Sequence, residues 1–201
     1  MHLANGGSRW RIEIGDRQAI AVVLWLRDAS GMAPDLDPVI PPLEPAVAVR
    51  PELAALAGPR ATAQWTGLWL GLWEGRLDSF ATVGRLGPPG FELLNRSPEL
   101  RELFAAGFPE AMRWSKTHRP LVPRAPGRHA PTLLGPGEVV KRLETELGRQ
   151  ARDFEFAITV LPVAGRVFWM LPDGVLAVSE NLVRDPTAFS ALLYDVLSTV
   201  V

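Results

Sequence analysis

Cysteine is absent from all 201 residues. No disulfide and no thiolate metal site can form, and nothing suggests an oxidising compartment. Lysine is almost absent, with 2 residues against 19 arginines. That bias, with abundant Ala, reads as the imprint of a GC-rich, bacterial genome. No charge of one sign dominates: the formal net charge is −1. No global field draws the chain to nucleic acid or to an anionic membrane, so neither is expected as a partner.

Long apolar runs are missing too. Ala19–Leu26 is too short to cross a bilayer and lacks the small-residue cleavage site of a signal peptide. The apolar run Ala61–Trp73 is short, and Glu74 and Arg76 close it. With no targeting segment in view, the cytoplasm is the expected compartment.

Signatures of catalysis are also lacking. There is no G-x-S-x-G nucleophile elbow, no G-x-G-x-x-G and no G-x-x-x-x-G-K-[ST]. Gly84, Gly87 and Gly90 lie among prolines and read as turn punctuation, not as a phosphate cradle. There is no H-E-x-x-H, and His2, His118 and His129 are too scattered to suggest a metal cluster. The hydrophobic order of the terminal segment LLYDVLSTVV is similar to that of the zinc-metallopeptidase helix, but every ligand is absent. The paired acids Asp35/Asp37 and Asp153/Glu155 read as loop and strand-end residues. No cofactor and no metal are expected.

What is present reads as a single α+β domain over residues 1–201. Hydrophobic residues make up 47% and charged residues 21%, ordinary for a globule. A chain of this size buries roughly 70% of its unfolded surface. Residues 9–28 read as a β-hairpin: Trp10, Ile12 and Ile14 alternate with charges, Gly15-Asp16 turns, and Ala19–Leu26 returns as a strand buried on both faces. Residues 31–51 hold six prolines and read as an extended connector. Residues 52–118 read as a helical segment, broken at Gly58-Pro59, with a start at Ser97-Pro98 and a fresh start at Pro109. Residues 138–152 form the clearest amphipathic helix, with Val139, Val140, Leu143, Leu147 and Ala151 in one stripe. Three strands follow within 154–178, and 187–200 closes the chain as a helix. The order predicts one mainly antiparallel sheet, made of the N-terminal hairpin plus the C-terminal strands. The central helical segment and the C-terminal helix would cover it.

Residues 64–77, QWTGLWLGLWEGRL, stand out. Trp65, Trp69 and Trp73 recur every four residues, and so do Gly67, Gly71 and Gly75. In a helix, positions two apart differ by about 200°, so the two stripes would lie on opposite sides. Three interior glycines each cost a helix about 1 kcal/mol against Ala. Yet Arg60–Ala81 contains no Val or Ile and is rich in Leu, Ala, Gln, Glu and Arg, which favours the helix. Such a helix, over 60–77, would bury its Trp stripe together with Leu68, Leu72 and Leu77, or else present the stripe as an exposed aromatic platform for a partner or a sugar ring. Its Gly stripe would admit a second backbone, as in small-xxx-small packing.

Charge is segregated. Asp28, Asp35, Asp37 and Glu44 sit in a segment without bases, and Arg113, Lys116, Arg119, Arg124 and Arg128 in one without acids, with His118 and His129. The two segments are solvated loops, a mutually paired set, or, for the basic one, an anion site. His118 beside Arg119 is the best single candidate for proton transfer.

These features favour a non-enzymatic interaction protein that self-associates, or binds a protein partner, through Gly67, Gly71 and Gly75. The alternative is an enzyme or a binder of small anions, using Lys116, His118, Arg119, Arg124, Arg128 and His129. A nucleic-acid accessory factor fits less well, since the basic segment offers one aromatic, Trp114, where stacking platforms interleave several.

Overall fold

The apolar run Ala19–Leu26 folds as a helix, not as the return strand of a hairpin. In the computed structural model, which describes residues 10–74, 79–120 and 135–201, it is the body of α1 (Gln18–Ala29). An unbroken apolar run carries no period, so it fits a buried strand and a buried helix equally. Burial decides here. Val22, Val23, Leu24 and Leu26 are fully buried, and a helix apolar all round belongs at the centre of a helical cluster.

That cluster is one of two compact units, and its described residues are 16–74, 79–120 and 161–164. Around α1 lie α2 (Pro51–Ala54), α3 (Pro59–Trp73), α4 (Ser79–Leu86) and α5 (Pro98–Thr117). Helices α1 and α5 pack closely at Gly107: a Cβ there would fall 2.5 Å from Leu26 Cδ2. Pro109 does not begin a new helix. It sits inside α5. An interior proline costs about 3 kcal/mol, and buried Leu103, Phe104, Phe108 and Ala111 on the same helix outweigh it.

The proline-rich connector is extended, as its composition requires, and Arg27 organises it. Its guanidinium donates to the carbonyl oxygens of Ile40 (2.9 Å) and Pro41 (2.8 Å). Asp28 accepts from Arg27 Nε and, at 2.7 Å, from the Leu43 amide. The connector then bridges to residues 161–164: Glu44 N donates to Pro162 O and Ala164 N to Pro42 O.

The other unit contains the sheet, and its described residues are 10–15, 135–160 and 165–201. Its strands are β1 (Trp10–Asp16), β2 (Phe154–Leu161), β3 (Phe168–Leu171) and β4 (Val175–Ser179). The order is β1-β2-β4-β3, parallel through β1, β2 and β4 and antiparallel only between β4 and β3. The sheet is therefore mixed, not mainly antiparallel. With residues 19–26 helical, β1 has no adjacent return strand. It pairs with β2, far along the chain, and a parallel pair needs such a long crossover. The β3–β4 turn is the expected Pro172-Asp173-Gly174, with Asp173 (φ 59°) and Gly174 (φ 70°) both left-handed.

The helices that pack on this sheet are α6 (Pro136–Leu147) and α8 (Pro186–Leu197), with the short α7 (Glu180–Val183) between β4 and α8. The central helical segment packs around α1 instead. Val139, Val140 and Leu143 join the sheet's core, whereas Leu147, expected in the same stripe, is 49% exposed at the end of α6. Asp185 caps α8, accepting from the Ala188 amide at 3.1 Å.

Candidate functional site

Helix α3 separates its residues as the four-residue periods require. Trp65, Trp69 and Trp73 are buried, with ring centroids 5.6 and 5.1 Å apart along the stack. The Trp65 indole N–H donates to Val23 O of α1 at 2.9 Å, which satisfies the polar atom of a fully buried side chain. Leu72 shares this face, but Leu68 does not; it turns toward the glycines.

Gly67 is exposed, and a Cβ built on it would meet nothing within 4 Å. Gly67 and Gly71 form the floor of a groove of about 450 Å³. Leu68, Leu93, Leu94 and Ser97 line it, with Gln64 at one end. Leu93 and Leu94 come from a single 3-10 turn at Glu92–Leu94, entered through Phe91 at φ 49°. No periodicity in the sequence marks that turn as a groove wall. Gly75 lies outside the described residues.

Gln64 gives the groove its polar end. Its Oε1 accepts the Leu100 amide at 2.9 Å, so α3 caps the N-terminus of α5, where the Ser97 side chain makes no cap bond. Its Nε2 donates to Glu99. That hydrogen bond, ahead of the backbone contact and of Arg60, holds the Glu99 carboxyl below the usual carboxylate range.

The basic candidates are brought together only in part. Lys116 and Arg119 are exposed and His118 is half-buried, all at the C-terminal end of α5. His118 stacks on Trp114 with centroids 4.7 Å apart, and its Nδ1 lies 3.0 Å from Trp114 O. It serves as the end of the helix. Cations here compensate the partial negative charge that a helix gathers at its C-terminus, which opposes an anion at the same place. Arg124, Arg128 and His129 lie outside the described residues.

The acidic segment is split between two settings. Asp28 is engaged by Arg27 and the Leu43 amide, while Asp35, Asp37 and Glu44 are exposed. Glu155 lines a depression of about 120 Å³ on the sheet with Arg11, Glu13 and Asp173; Arg11 and Glu13 pair with each other there. Among the described residues, no three His, Asp or Glu side chains are placed to hold a metal ion, and no helix is long and apolar enough to cross a membrane.

Comparison with protein families, with characterised proteins and with solved structures finds no match to this chain.

Proposed function

We propose that this chain is an interaction protein that self-associates through the glycine face of α3. One observation supports the reading most: Gly67 opens onto free space at the floor of an apolar groove. Gly107 shows what an internally required glycine looks like, with Leu26 and Leu53 side chains at 2.5 and 3.2 Å from a built Cβ. At Gly67 the chain accepts the helix cost of glycine and gains no internal contact for it. A backbone supplied from outside would gain from that cost, since small residues let two backbones approach closely.

The competing reading, an anion site or active centre over Lys116–His129, has less support. Its described members sit at the unfavourable end of a helix for an anion, and His118 is occupied with Trp114.

The chain lacks cysteine, so a single introduced thiol reports cleanly. Leu68→Cys places it in the groove wall, and Thr117→Cys places it on the exposed end of α5. Maleimide labelling of the Leu68→Cys thiol is expected to slow as protein concentration rises, while the Thr117→Cys rate stays constant. Concentration-independent labelling at both positions overturns the proposal.

A further inference from the structure

We draw no further inference here: the strongest candidate, the depression at the N-terminal end of α8 lined by Gly165, Arg166, Asn181 and Arg184, carries nothing, because Arg166 already pairs with Asp185 and Arg184 with Glu180 of the same chain and nothing in the structure points to a ligand there.

Discussion

The indole N–H of Trp65 donates to the carbonyl oxygen of Val23 across 2.9 Å, tying α3 to the central helix α1. That bond commits the tryptophan face of α3 to the interior and leaves the glycine face pointing outward. The functional reading rests on this division, and each half can be tested separately.

Trp69 sits in the middle of the stack, between Trp65 and Trp73, and is 1% exposed. Trp69→Ala is expected to lose about 3–5 kcal/mol in urea unfolding. A loss below about 1 kcal/mol would mean a surface platform and not a core residue.

The glycines separate cleanly. Gly67→Ala adds a methyl group to open space, and the higher helix propensity of Ala should stabilise the chain by about 0.5–1 kcal/mol. Gly107→Ala drives a methyl group into Leu26 and Leu53 and should cost about 1–3 kcal/mol. Thermal melts of the two variants are expected to move in opposite directions.

Arg27 is 5% exposed and binds two carbonyl groups of the connector as well as Asp28. Arg27→Met leaves Asp28 without its cation and frees both carbonyls. A loss of about 3–5 kcal/mol is expected, as for breaking a buried pair from one side. Limited proteolysis should then cut within residues 31–50 sooner than in the native chain.

On the sheet unit, Tyr194 of α8 donates to Glu146 of α6, and Arg142 both pairs with Glu146 and lies 5.3 Å over the Tyr194 ring. The Tyr194 hydrogen bond first, then Arg142, hold the Glu146 carboxyl below the usual carboxylate range. A depressed carboxylate contributes stability above its unfolded pKa and loses it as pH falls through the folded value. Tyr194→Phe removes the largest cause. Melting temperature is expected to drop at neutral pH, and the difference from the native chain should shrink on acidification.

Some of this was legible in the sequence and some was not, for identifiable reasons. The absence of Val and Ile over Arg60–Ala81 marked the helix, and the four-residue periods of Trp and Gly then divided its two faces. The C-terminal strands were marked by Val, Ile and Phe between turn residues. Ala19–Leu26 was not legible, since a run with no polar residue has no period to read. The mixed sheet was not legible either, because β2 pairs in parallel with β1 and with β4 and not with the next strand, β3, and local turn residues do not mark such pairings. The groove's second wall, Leu93 and Leu94, comes from one irregular turn that no periodicity marks.

Sedimentation velocity across a wide concentration range tests the central claim most directly. The native chain is expected to sediment above the 22.0 kDa monomer at high concentration. Adding Gly67→Leu, which fills the groove floor, is expected to return it to 22.0 kDa with an unchanged circular dichroism spectrum. A native chain at 22.0 kDa throughout, or a Gly67→Leu variant that still associates, would contradict self-association through the glycine face of α3.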